Sequence, residues 1–237
     1  MDARAVLADV GGLGPYFVVG VDIEPGDRPV GDLYTDPDPV RARIGHIGSA
    51  LHCGERVAAS LAFQGLAAQL GSAPYAAAVL HGAVPALTPS VLHWHLGDDG
   101  GWRLRCEASG TALVDANELG SLLAGLLAPL VAVVRAQVPI AEGLLWGNAA
   151  STIAAAKRLL TIQRPAAAAR AAEVAQELLG SGPLAGTGEL LPPRGPDRHW
   201  TFRRRSCCLY YQVPGGGLCE DCVLPAAARP GDDRPDP

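Results

Sequence analysis

Apolar residues recur at helical spacing along most of the chain. Between 39 and 71, Ile44, Ile47, Leu51, Val57, Leu61 and Leu66 fall at mixed three- and four-residue intervals, which predicts a helix. Residues 74–82 continue as a shorter one. From 115 to 137, Leu119, Leu122, Leu123, Leu126, Leu127, Leu130 and Val134 mark one helical face, with Pro129 placed to kink it. Two more helices are expected over 148–163 and 165–180, the second stopped by Gly180, Gly182 and Pro183. Residues 1–38 read as a short helix, a Gly-rich break and an irregular acidic loop. The period drops to two in Val91–Leu96 and Trp102–Cys106, which flank a Gly/Asp turn and predict a β-hairpin. A Gly/Pro-rich linker over 181–197 leads to a further strand signal at His199–Arg203. The composition after Pro225 is that of a disordered tail. The pattern predicts an α+β, mostly helical single domain with a small β-hairpin or sheet. Its expected parts are a body over 1–192, a C-terminal segment over 193–225 and a tail over 226–237.

Composition supports a globular body. Of 237 residues, 49% are hydrophobic and 18% charged, enough to bury a sizeable core. The longest apolar stretch, Leu119–Val134, falls short of the about 20 residues of a spanning helix, so a core helix is expected, with peripheral membrane contact left open. A net charge of -5 argues against a nonspecific nucleic-acid partner. Acids gather in residues 1–40, whereas Arg194, Arg198, Arg203, Arg204 and Arg205 stand close together near the C-terminus. The run Met1–Asp9 lacks both a basic start and an unbroken apolar stretch. No signal peptide is therefore expected, and the thiols should stay reduced in the cytoplasm.

The chemistry concentrates in Cys207, Cys208, Cys219 and Cys222, spaced Cys-Cys, ten residues, Cys, two residues, Cys. Four thiols in so short a segment make a metal site or a disulfide knot, and a reducing compartment disfavours the knot. Zinc ribbons pair their cysteines at two- to four-residue spacing, which Cys219 and Cys222 satisfy and adjacent Cys207 and Cys208 do not. Neighbouring side chains tend to diverge and suit a binuclear centre, where four sulfurs reach two irons, as in a 2Fe-2S cluster. The spacing is not that of the common ferredoxins. A structural zinc site stays open as the alternative. Leu209–Val213 reads as a short extended run, and Pro214–Gly217 as a turn that returns the second pair to the first. The glycines would let N–H groups approach the sulfurs. Arg203, Arg204 and Arg205 either favour the reduced, more negative form of such a centre or form a solvated basic turn. Cys53 and Cys106 read as small buried hydrophobes. His93 and His95 share one face of a strand, where a pocket or wet surface is expected rather than metal ligation. His199 is not needed to complete the ligand set.

The Cys-Cys-x10-Cys-x2-Cys ending, led in by arginines, resembles the FhuF-like family of ferric siderophore reductases. Leu145-Trp146-Gly147-Asn148-Ala149-Ala150-Ser151 is similar to the Trp-Gly-Asn…Ser segment of the same family. The resemblance implies a 2Fe-2S cluster on Cys207, Cys208, Cys219 and Cys222, with no catalytic residue beyond it. It implies one-electron reduction of Fe(III) in an imported siderophore, usually a hydroxamate, releasing Fe(II). The expectation is chemically sound, because hard anionic oxygens grip Fe(II) far less well than Fe(III). No flavin or nicotinamide motif is evident, so an external electron donor such as a ferredoxin or reductase is expected. Peripheral association with an inner-membrane siderophore importer is left open. Trp146, Asn148, Arg203 and Arg204 are the candidate substrate contacts. Under the competing reading Trp146 packs, Asn148 caps the following helix and Ser151 faces solvent. The alternatives to a reductase are a structural zinc-binding or non-redox siderophore-binding protein, and a 2Fe-2S carrier for another enzyme.

Replacing any one of Cys207, Cys208, Cys219 or Cys222 by serine should bleach or severely perturb the visible spectrum of the anaerobically purified protein. Cys53→Ser and Cys106→Ser should leave it intact. Loss of the chromophore in Cys106→Ser would overturn the ligand assignment.

Overall fold

Seven α-helices and three small antiparallel sheets make up the described residues, 1–97, 101–191 and 202–224, of the computed structural model. Helix α1 (Ala3–Gly11) starts at Asp2, whose carboxylate accepts the Ala5 N–H at 2.9 Å and satisfies one of the free donors of the first turn. An irregular acidic stretch and a two-residue strand β1 (Arg28–Pro29) lead to the short α2 (Asp32–Thr35). The single helix expected over 39–71 is two helices, α3 (Asp38–Leu51) and α4 (Glu55–His81). His52 adopts the left-handed region at φ 49°, and the Cys53 N–H closes on the Gly48 carbonyl at 3.1 Å. That ending satisfies the terminal carbonyls of α3. Apolar spacing did not reveal it because α3 and α4 pack against each other and both carry part of the same pattern.

Helix α4 is also longer than expected, since the separate helix at 74–82 is its continuation through Pro74. Its second half has almost no solvent face: Ala73, Tyr75, Ala76, Ala77 and Ala78 are fully buried. The alanines keep that half thin, so neighbouring helices approach closely. Gly82, at φ 65°, ends it in the left-handed conformation glycine tolerates.

The expected hairpin forms from β3 (Leu92–Leu96) and β4 (Trp102–Cys106), in register from Leu92 opposite Cys106 to Leu96 opposite Trp102. Residues 98–100 of its turn lie outside the described residues. Trp94 and Trp102 stack with centroids 4.7 Å apart, and the Arg28 guanidinium sits 5.4 Å above Trp94. β1 pairs with the other edge of β3, while β2 (Ala83–Pro85) pairs with β5 (Leu113–Asp115). The half-buried His93 and His95 lie on one face of β3, and His95 contacts Asp27 at 3.0 Å.

Helix α5 (Leu119–Gln137) buries the predicted face, including Leu119, Leu123, Leu126, Leu127, Leu130 and Val134. Ala116–Gln137 is long and apolar enough to cross a membrane by length and composition, with a mean hydropathy of 1.9, and 39% of that window is buried inside the protein. Helix α6 (Glu142–Gln163) begins earlier than 148, so Trp146-Gly147-Asn148 lies within the helix instead of ahead of it. A turn at Pro165–Ala167 precedes α7 (Ala168–Leu179). Strands β6 (Gly188–Leu190) and β7 (Phe202–Arg204) then pair, fastening the C-terminal segment to the body. A Cβ on Gly188 would run into the Phe202 ring and lie 2.7 Å from the Arg203 carbonyl, so this pairing requires glycine. His199, Trp200, most of the expected linker beyond 191 and the expected tail lie outside the described residues. The most extensive helix packing is between α4 and α6, and the C-terminal segment rests on this pair.

Tyr75, fully buried, donates its hydroxyl to the Ala171 carbonyl at 2.6 Å, and burial pushes its phenol well above the ordinary range. Tyr75→Phe leaves that carbonyl without the hydroxyl donor. It should cost about 1 kcal/mol, read as a lower urea midpoint at unchanged slope.

Candidate metal centre

After β7 the chain passes through Ser206 to Cys207 and Cys208, then reverses. Leu209 is left-handed at φ 68°, a conformation costing a leucine about 1 kcal/mol. A 3-10 turn follows at Tyr210–Gln212. The extended run expected over Leu209–Val213 is therefore absent. Its loose alternation is instead that of a tight turn, in which Leu209 and Val213 face the body and Tyr210 and Gln212 face solvent. The expected Pro-Gly-Gly-Gly turn is present. Gly215 has φ 71°, and a Cβ on Gly216 would lie 2.8 Å from the carbonyls of Tyr210 and Val213. The Cys222 N–H then bonds the Cys219 carbonyl at 3.0 Å, turning the second pair back toward the first.

The four thiols act on one another. Cys208 and Cys219 are hydrogen-bonded, which holds Cys208 below the ordinary thiol range and, with burial, pushes Cys219 above it. Cys207 is pushed up, first by burial and then by Cys208 and Cys222. Backbone donors reach the sulfurs: Leu209 N–H to Cys207 Sγ and Leu224 N–H to Cys222 Sγ, each at 3.4 Å. These donors come from leucines, not from the glycines on which the sequence expectation rested. All six cysteines are free thiols. Among the described residues no three His, Cys, Asp or Glu side chains gather closely enough to form a metal site. Thiols divided between two loops, with N–H groups directed at sulfur, are a donor set suited to a thiolate-bound metal centre. Cys106 is fully buried on β4 with its thiol pushed up by burial, and Cys53 is half-buried in the break between α3 and α4.

Beneath the cysteines lies a chain of buried polar bonds. On α4, the Ser60 hydroxyl donates to the Cys208 carbonyl at 2.7 Å. On α6, the Asn148 amide donates to the Ser60 carbonyl at 2.8 Å and its hydroxyl at 3.0 Å, and its own Oδ1 accepts from Arg204 Nη2. Ser151 donates to the Asp221 carboxylate, and the Arg204 N–H bonds the Asp221 carbonyl at 3.0 Å. Asn148 is thus a fully buried residue of the α6 interior and not a cap, and Ser151 is buried, not solvent-facing. A Cβ on Gly147 would collide with Ser206 Oγ and reach 3.5 Å from Arg204 Nη2, so this glycine admits the segment.

The other candidates separate. Trp146 is buried, donates to Glu142 at 3.3 Å and faces a different cavity, of about 340 Å³, with Leu123, Leu127 and Leu178. Arg203 is exposed and paired with Glu189, whereas Arg204 is buried. Ser60 and Asp221 were missed in the sequence. Asp221 lies inside the Cys-x2-Cys pair and could have been flagged, but a serine within an Ala-rich helix carries no signal. A cleft of about 420 Å³ opens beside the centre. Its floor comes from α4 and α6, including Gly65, Ala68, Thr152 and Ala155, and its wall includes Cys208, Cys219 and Asp221.

Residues 204–224 match the family described as the FhuF 2Fe-2S C-terminal domain. The match begins at Arg204 and takes in all four cysteines. A comparison with curated proteins found no match. The C-terminal segment is thus similar to FhuF-type domains, and the match indicates a 2Fe-2S cluster as the group it carries.

Gly147→Val should push Ser206 and Arg204 off α6. The expected result is a protein of unchanged helical circular dichroism that retains little iron or acid-labile sulfide. Gly143→Ala, on the same helix but with open space at its Cβ, should retain both.

Proposed function

We propose that the protein is a cytoplasmic ferric siderophore reductase. Cys207, Cys208, Cys219 and Cys222 would hold the 2Fe-2S cluster, which supplies one electron to Fe(III) in a siderophore so that Fe(II) is released. The observation that carries this reading is the cleft: its wall contains Cys208 and Cys219 themselves. A chelate seated there comes close to the sulfurs without having to enter the core.

The lining also argues for the kind of chelate. Among the described residues it contains Glu220 and Asp221 and no lysine, arginine or histidine, and Tyr16, Leu159 and Tyr210 at its margin are exposed apolar surface. Such a cleft favours a neutral or cationic complex with an aliphatic body and disfavours a strongly anionic one. A ferric trihydroxamate meets that description. In this reading Asn148 and Arg204 support the metal segment, Trp146 packs in the core, and the exposed Arg203 lies at the outer surface. The electron comes from a separate donor of the ferredoxin or reductase class.

Gly65 gives a direct test, because a Cβ there meets nothing within 4 Å although the residue lines the cleft. Gly65→Leu fills the cleft and, on helix propensity, should stabilise α4 by up to about 1 kcal/mol. The reduced variant, mixed anaerobically with a ferric trihydroxamate, should be reoxidised at least about tenfold more slowly than wild type, a barrier increase of about 1.4 kcal/mol. Reoxidation by ferricyanide should keep its wild-type rate. Equal rates with the trihydroxamate would place the reaction outside this cleft.

A further inference from the structure

Arg204 is the one arginine of the run Arg203–Arg205 that is buried, at 1% exposure. A guanidinium is charged at any working pH, and taking it out of water is costly unless something compensates. Its side-chain partner is Asn148 Oδ1, which is neutral. Two further donors, Nε and Nη1, are buried with no hydrogen-bond partner among the described residues. Buried donors are nearly always satisfied in folded proteins, so a pair left over beside a metal segment marks the place of a missing acceptor. The surroundings hold the arginine firmly. Its backbone N–H is bonded to the loop between Cys219 and Cys222, and Asn148 is itself fixed by two bonds to Ser60.

We propose that Arg204 is a positioning residue that serves as the buried counter-cation of the 2Fe-2S cluster. Asn148 and Ser60 hold its guanidinium in place, and its charge stabilises the reduced, more negative state and so raises the midpoint potential. Four thiolates around two irons carry net negative charge, which reduction increases by one. A fixed cation in a low-dielectric surround acts on that added charge more strongly than an exposed one would. Arg203, ion-paired with Glu189 at the surface, is screened and lacks this effect. The inference rests on the proposed ligand set and not on the substrate. A failed reductase assay leaves it standing, and a changed potential says nothing about siderophores.

The test is a spectroscopic redox titration of the cluster-loaded protein, comparing wild type with Arg204→Gln, Arg204→Lys and Arg203→Gln. The expected result is a lower midpoint potential in Arg204→Gln, substantial recovery in Arg204→Lys and the wild-type value in Arg203→Gln. Loss of the cluster in Arg204→Gln with retention in Arg204→Lys also supports the role, since the positive charge is then what the cluster requires. An unchanged potential in Arg204→Gln overturns the proposal. So does an equal fall in the glutamine and lysine variants, or loss of the cluster from both, because hydrogen-bond geometry and not charge would then be at work. A shift in Arg203→Gln as large as that in Arg204→Gln overturns it as well.

Discussion

The arrangement depends on how a short, cysteine-bearing segment is held against two helices. Residues 202–224 are too few to bury a core of their own. Phe202, Leu209 and Val213 give them apolar anchors, but the direction in which the cysteines face is set by polar bonds. Ser60 fixes the carbonyl of Cys208, Asn148 fixes Arg204, and Ser151 fixes Asp221. Each of these bonds is buried, where leaving one partner unpaired costs about 1–3 kcal/mol. Satisfied together, they specify one pose of the segment more sharply than hydrophobic contact would.

The same seam creates the cleft. Helices α4 and α6 pack along much of their length, and the small residues Gly65, Ala68, Ala155 and Ala156 leave a shallow floor. The cysteine loops close one end of it. The cleft and the cysteine loops thus arise from a single packing arrangement. In the proposed mechanism the body seats the chelate and the segment supplies the electron, with no second domain needed to bring them together. Under the same proposal, the acidic and apolar lining limits which ferric complexes can be served.

Much of this was legible in the residues themselves. The helical periodicity of α5, the Trp-rich hairpin and the Pro-Gly-Gly-Gly turn reflect local rules and formed where those rules put them. The four cysteines were legible because their chemistry is rare and their spacing unusual. The errors came where tertiary context overrode local pattern. Leu209 takes a left-handed conformation that no propensity scale favours. His52 divides a helix whose apolar spacing runs straight through the break. Asn148 looked like a cap because asparagine usually is one, yet it sits inside α6 with its amide spent on Ser60 and Arg204. The Trp-Gly-Asn segment divides accordingly: Trp146 packs against a separate cavity, Gly147 makes room, and Asn148 reaches the metal segment. Only the folded chain, which brings residues 60, 148 and 204 together, shows that.

The central claim is that one electron passes from the cysteine-held cluster to iron in a chelate. Its most direct measurement is stoichiometric. The fully reduced protein is mixed anaerobically with excess ferric trihydroxamate in the presence of an Fe(II)-specific chromogenic chelator, and cluster absorption and Fe(II) are followed together. The account predicts one Fe(II) captured for each cluster reoxidised. Clusters that stay reduced, or that reoxidise without releasing Fe(II), would contradict it.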